Sequence, residues 1–259
     1  LRQRGASWPP RRTCWWVLGC TAMLFVTSSG LGSYVSAMFS VHMLVQVAMT
    51  MVVPILLVLG APVTLTLQAL RPSADRGSPG PREWLLTALH SPWARVLTFP
   101  GTALLLFVGG GYGLYFTGAF GGAVADHTTH VLMTGYWLLS GTLFFWVVLG
   151  AEPSPHRVSV IARMATAIAG LLQWVWIGMV LRDRQDVLGE SFYRSLRLEW
   201  HTELLTDQRL GAVLVALGAA FILLIVIAVL LVSRNSNVRR MNRRYAELER
   251  KMLRSNDSR

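Results

Sequence analysis

Residues 39–60 read FSVHMLVQVAMTMVVPILLVLG, a run without a single charged side chain. A helix rises about 1.5 Å per residue, so a run of this length reaches across the roughly 30 Å hydrocarbon core of a bilayer. Working outward, five further apolar segments lie at about 14–30, 96–117, 129–149, 160–181 and 210–232. A buried helix of a water-soluble protein could account for one such segment but hardly for six. The chain is 53% hydrophobic and 14% charged, whereas soluble domains carry about 25% charge. The expected fold is all-α: a polytopic transmembrane helical bundle of about six spans, with N- and C-termini cytoplasmic.

The charges between the segments supply the orientation. With the N-terminus inside, 19 of the 24 Lys and Arg fall on the cytoplasmic side and 5 outside, while the 13 acids divide 6 and 7. The net charge is then +13 inside and −2 outside, together the +11 of the chain. This is the positive-inside asymmetry of an integral membrane protein, and it predicts a multi-pass plasma-membrane protein. Two regions are expected: a transmembrane domain over 1–232 and a basic cytoplasmic tail over 233–259, helical by its pattern, with Glu247 and Lys251 spaced as an i,i+4 pair.

A pI near 10.9 does not imply nucleic-acid recognition. The basic residues sit at membrane ends and in the tail, where anionic lipid is the simpler partner. Cys14 and Cys20 form no CxxC motif. HExxH and nucleophile–base spacings are absent, so an enzyme is not expected. The sequence begins without Met, which suggests a fragment, a processed chain or a region of a longer protein.

Local signals divide the chain further. Pro54 is expected to kink the second segment, and Gly60-Ala61-Pro62 to end it. The run VTLTLQAL at 63–70 reads as an interfacial helix, RPSADRGSPGPREW at 71–84 as a turn, and EWLLTALHSPWARVL at 83–97 as one amphipathic surface helix containing His90. The triple glycine at 109–111 lacks the Lys-Ser/Thr of a phosphate loop. Close packing explains it better, as it does Gly135, Ser140 and Gly141. The polar outer loop 182–209 reads as a cover over the outer mouth.

Topology brings His42, His127 and His130 to the outer membrane face. His127 and His130 are three apart and share one side of a helix. Met43 adjoins His42, with Met133 and Met51 deeper. Imidazole suits transition metals and thioether favours copper(I), so His42, His127, His130, Met43 and Met133 form a candidate copper site. The alternative is that the histidines are polar anchors and the methionines are packing. Asp126 could orient a histidine or cap the fourth helix. His201 lies on the same side in a loop. Asp207 and Gln208 could cap their own helix, pair with a nearby arginine or contact the histidines.

The run YVSAMFSVHMLVQVAMTMVVPILLVLGAPVTLTLQAL at 34–70 resembles the CtaG family of cytochrome c oxidase assembly proteins. GPREWLLTALHSP, LLSGTLFFWVVLG, FYRSL and LLTDQRLG extend the likeness in order over residues 12–232. It resembles most the actinobacterial form, in which such a region follows a CopD-like copper-transport domain. The resemblance implies copper handling during oxidase maturation at the outer face. The sequence departs from the family pattern at Gln46, Tyr136, the Gln173–Trp174 region and Arg209, where histidines are expected.

Two functions follow. In the first, the chain is a membrane-embedded assembly factor that binds or relays copper at the outer face. In the second, it is a degenerate paralogue without a metal role, acting as scaffold or accessory subunit of a respiratory oxidase or cell-envelope complex. Transport has little support, because no polar residues mark a mid-membrane pathway.

Overall fold

A computed structural model of the chain describes residues 8–73 and 79–257, without the side chains of Ser33 and of 235–257. The first residues of the basic leader, the middle of the 71–84 turn and the Glu247–Lys251 pair lie outside the described residues.

All described secondary structure is helical. Helix α1 spans Pro10–Ser28 and α2 Gly30–Val35. The deciding run folds as α3 (Phe39–Val47), a π-helical turn (Ala48–Val52) and α4 (Val53–Gly60). The π turn lies directly before Pro54, whose ring and missing amide disturb the regular ladder. The expected distortion is therefore a widened turn ahead of the proline. Ala61 adopts φ 52° and ψ 55°, stopping α4 and turning the chain into α5 (Pro62–Ala69).

The expected single surface helix at 83–97 is instead two helices, α6 (Pro81–Leu89) and α7 (Pro92–Leu97). Pro92 disfavours helical geometry at Ser91, and Ser91 caps α7 by accepting from the Ala94 amide at 3.1 Å. Then follow α8 (Pro100–Phe116), α9 (Phe120–Ala125), α10 (His127–Leu149), α11 (Val160–Asp183), α12 (Glu190–Ser195) and α13 (Leu204–Asp257).

Among the described residues, four helical units are long and apolar enough to cross a membrane: Phe39–Ala69, His127–Leu149, Val160–Asp183 and Leu204–Arg234. The other two apolar segments form α1, of 19 residues with Arg11 and Arg12 in its first turn, and α8, of 17 residues. Large apolar side chains face outward along the bundle, with Leu139 71% exposed and Phe221 69% exposed. In water that surface would drive association; in a bilayer it meets lipid.

Small residues set the helix approaches, because without a hydrophobic drive between helices close backbone packing dominates. Gly178 of α11 lies against the Ala212 carbonyl and Ala216 of α13. Gly211 of α13 receives Phe39 and Met43 of α3. Gly141 of α10 abuts the Thr50 carbonyl in the π turn, and Gly60 of α4 abuts Trp16 of α1. The core runs through the middle of the bundle, where Phe107 and Phe144 stack at 3.9 Å.

Candidate functional site

The predicted histidines lie toward one end of the bundle, the end that the charge pattern is expected to turn outward. His42 stands on the first turn of α3 and is 3% exposed. Its ring meets Phe120 of α9 edge-on at 5.2 Å, stacks with Phe39 at 6.5 Å and faces His130 of α10 at 5.7 Å. Among the described residues, neither ring nitrogen of His42 has a hydrogen-bond partner, nor does Nδ1 of His130.

Between these rings lies a cavity of about 10 Å³ lined by His42, Gln46, Met49, His130, Met133 and Trp137, among others. That is space for about one water molecule. Gln46 Nε2 and Trp137 Nε1 also lack partners. This cavity is the polar focus of the outer half.

The five predicted ligands divide. His42, His130 and Met133 line the same cavity. His127, the exposed first residue of α10, lines a wider apolar cavity of about 670 Å³ between α1, α3 and α10, sharing His130. Met43 is fully buried, packs onto Gly211 of α13 and lies with its sulfur 3.6 Å from the Tyr115 hydroxyl oxygen. Among the described residues, no group of three or more His, Cys, Asp or Glu is placed to hold a metal ion.

The positions at which the sequence reading expected histidines have structural work. Gln46 accepts a hydrogen bond from Tyr115 of α8 through Oε1. Tyr136 lies over Gly110 of α8 and donates to the Leu106 carbonyl at 2.5 Å. Trp174 packs edge-on against Phe107 and Trp137. Gln173 accepts from Tyr112. Arg209 reaches Gln185 at 3.3 Å on the surface.

Asp126 caps α10, accepting from the Thr129 amide and hydroxyl, each at 2.7 Å. The Thr129 hydroxyl, then its amide, hold the Asp126 carboxyl below the ordinary carboxylate range. Of the two roles weighed for Asp126, these contacts make the cap.

Asp207 does something sequence reasoning missed. It accepts from the amides of Phe39 at 2.7 Å and Ser40 at 3.3 Å, and so caps α3, a helix far away in the chain. Those amides are among the four that every helix start leaves without partners. The cap sits two residues before His42 and fixes its entry into the core. His201 stands 3.5 Å from the same carboxylate. Burial, then the charge of Asp207, raises the Tyr193 hydroxyl well above its ordinary value. Gln208 is fully buried and clamps the outer loop, accepting from Leu188 N at 2.7 Å and donating to Asp186 O at 3.0 Å. The signal in sequence was a polar pair at the mouth of an otherwise apolar helix. Its partner helix was not legible.

A family described as cytochrome c oxidase caa3 assembly factor (Caa3_CtaG) matches residues 1–235. The chain belongs to the CtaG family. Its relatives include an uncharacterised protein of Mycobacterium leprae, 38% identical over 231 residues, covering 89% of this chain and 35% of that protein. Uncharacterised proteins of Mycobacterium bovis and Mycobacterium tuberculosis are each 41% identical over 211 residues, covering 82% of this chain and 32% of theirs. The chain thus spans about a third of the length of the curated relatives it matches. No solved structure matches it. The apolar helices make this member a multi-pass protein of the plasma membrane.

Proposed function

We propose that this chain is a membrane-embedded assembly factor for cytochrome c oxidase that acts as a scaffold for a membrane protein partner, without depending on a metal of its own. In this reading α1 and α8 complete six crossings, and the basic end of the bundle is cytoplasmic. The observation that carries the reading is the donor set at the outer site. Two imidazoles and two thioethers, of Met49 and Met133, line the small cavity, but among the described residues no hydrogen bond orients either nitrogen of His42 or Nδ1 of His130, and Gln46 is engaged by Tyr115. A buried metal site of high affinity takes three or four donors backed by oriented partners. The four possible donors here lack those orienting partners among the described residues.

Copper is the second reading. A weak mononuclear site on His42, His130 and Met133, with His127 at the adjacent cavity, is favoured by the partnerless nitrogens of His42 and His130. Soft thioether beside imidazole suits copper(I).

The test is chemical cross-linking in native membranes followed by gentle purification of the full protein. The scaffold reading expects a stoichiometric membrane partner, held equally by wild type and by the double variant His42→Ala/His130→Ala. Loss of the partner in that variant, restored by copper in wild type alone, would favour the metal reading.

A further inference from the structure

At the opposite end of the bundle lies an open-mouthed cavity of about 410 Å³, lined by Trp146, Glu152, His156, Arg157, Ser159 and Arg163 among others. Gly150 ends α10 with φ 57°, and the chain loops back to enter α11 at Val160. Arg163, one turn into α11, folds its guanidinium over Gly150, where a Cβ would sit 2.1 Å from a terminal nitrogen. A side chain at this position would displace the end of the arginine.

The charge balance of this cavity is unusual. Arg163 is partly buried, and its recorded hydrogen bond is a long one of 3.4 Å from Nη1 to the Leu149 carbonyl. Its Nε is buried without a partner. A guanidinium carries five N–H donors, and among the described residues no carboxylate pairs with Arg163 or Arg157. The one acid in the lining, Glu152, is already engaged. Its oxygens accept from Val63 N at 2.8 Å, Thr64 N at 2.9 Å and the Thr64 hydroxyl at 2.6 Å, capping α5.

The other polar groups are also directed. His156 is tied to the Arg95 carbonyl at 2.7 Å, joining the loop to α7. Ser159 accepts from Ala162 N at 3.2 Å. The α11 start adds the partial positive charge of a 24-residue helix. Trp146 closes one side and donates its indole N–H to the Pro153 carbonyl at 3.1 Å, in the manner of aromatic residues at headgroup depth. Arg163 is only partly buried and Arg157 is exposed, so both can offer N–H donors to an anion at the cavity mouth.

We propose that Arg157, Arg163 and the start of α11 form a site for the phosphodiester headgroup of an anionic membrane lipid at the cytoplasmic surface. A guanidinium fork matches the geometry of phosphate oxygens. The position of Arg163 a single turn inside a membrane helix, beside Trp146, places it at lipid headgroup depth and not out in solvent. The proposal is independent of the scaffold reading, since it concerns the other end of the bundle.

The full protein is reconstituted in phosphatidylcholine with and without phosphatidylglycerol, and retained lipid is read by native mass spectrometry after detergent extraction. Wild type is expected to retain phosphatidylglycerol over phosphatidylcholine, and more weakly at high salt. Arg157→Gln/Arg163→Gln is expected to weaken that retention about 30-fold, corresponding to about 1 kcal/mol for each arginine near an anionic surface. Arg157→Lys/Arg163→Lys is expected to keep part of it. Arg184→Gln/Arg209→Gln, at the outer end, is expected to keep all of it.

Several results would overturn the site. These are no lipid preference in wild type, full retention in the Gln variant, or an equal loss in the outer variant. Thermal protection by inorganic phosphate equal to that by phosphatidylglycerol would overturn the lipid as source.

Discussion

Gly141→Ala is the sharpest test of how the bundle is held together. A Cβ at Gly141 would stand 2.0 Å from the Thr50 carbonyl oxygen, 2.8 Å from its carbon and 2.9 Å from Pro54. The first two obstacles are backbone, so no rotamer change relieves them. The carbonyl projects from the π turn that Pro54 imposes, and α10 must retreat by about 1 Å or more to restore an ordinary contact. Overpacking of this kind costs about 1–3 kcal/mol, and the rigidity of both partners argues for about 3. Alanine recovers up to about 1 kcal/mol of helix propensity, leaving a net loss of about 2 kcal/mol. Gly135 lies on the same helix with nothing within 4 Å of its Cβ position, so Gly135→Ala is expected to be neutral or slightly stabilising. Reversible unfolding in mixed micelles, followed by circular dichroism, reads both. Equal stabilities for the two variants would refute the packing argument, as would a loss below about 0.5 kcal/mol for Gly141→Ala, the scatter usual for uninvolved sites.

Other expectations follow from single contacts. Asp207→Ala removes the carboxylate from two α3 amides and should cost about 2–3 kcal/mol by the same unfolding assay, since hydrogen bonds to charged groups contribute about 1.5–3 kcal/mol. Asp207→Asn should cost less, because it keeps an acceptor. Gln208→Ala strands the buried Leu188 amide and should free the outer loop, seen as faster proteolytic cutting within 186–203 while the bundle stays intact. The Asp126 carboxyl titrates below its ordinary value, so its cap contributes above the unfolded value, near 3.9, and is lost as pH falls through the folded one. Hydrogen exchange at the Thr129 amide should accelerate in that acid range, and Asp126→Ala should give the fast rate at all pH.

Much of the fold could be read in advance because bilayer helices carry their length and apolarity in one contiguous stretch. The 39–60 run recurs unchanged as α3, the π turn and α4, and the 160–181 segment differs from α11 only at its end. The π turn was not legible, since a proline announces a distortion without its form. Nor was the break at Ser91, although Pro92 carried the signal. At the site, topology alone brought His42 and His130 to one level. Side-chain direction decided the rest. Met43, beside His42 in sequence, turns to α13, while Met49, a full turn beyond Gln46, joins the cavity by way of the π turn. The reach of Asp207 to α3 depended on which helices became neighbours, and no local pattern records that.

The central claim is that the outer histidines do not hold a working metal site. Its most direct test is copper stoichiometry on full protein purified without chelator and loaded anaerobically with copper(I), in wild type and in His42→Ala/His127→Ala/His130→Ala. The account predicts the same small residual copper in both. About one copper per chain in wild type, absent from the triple variant, would contradict it.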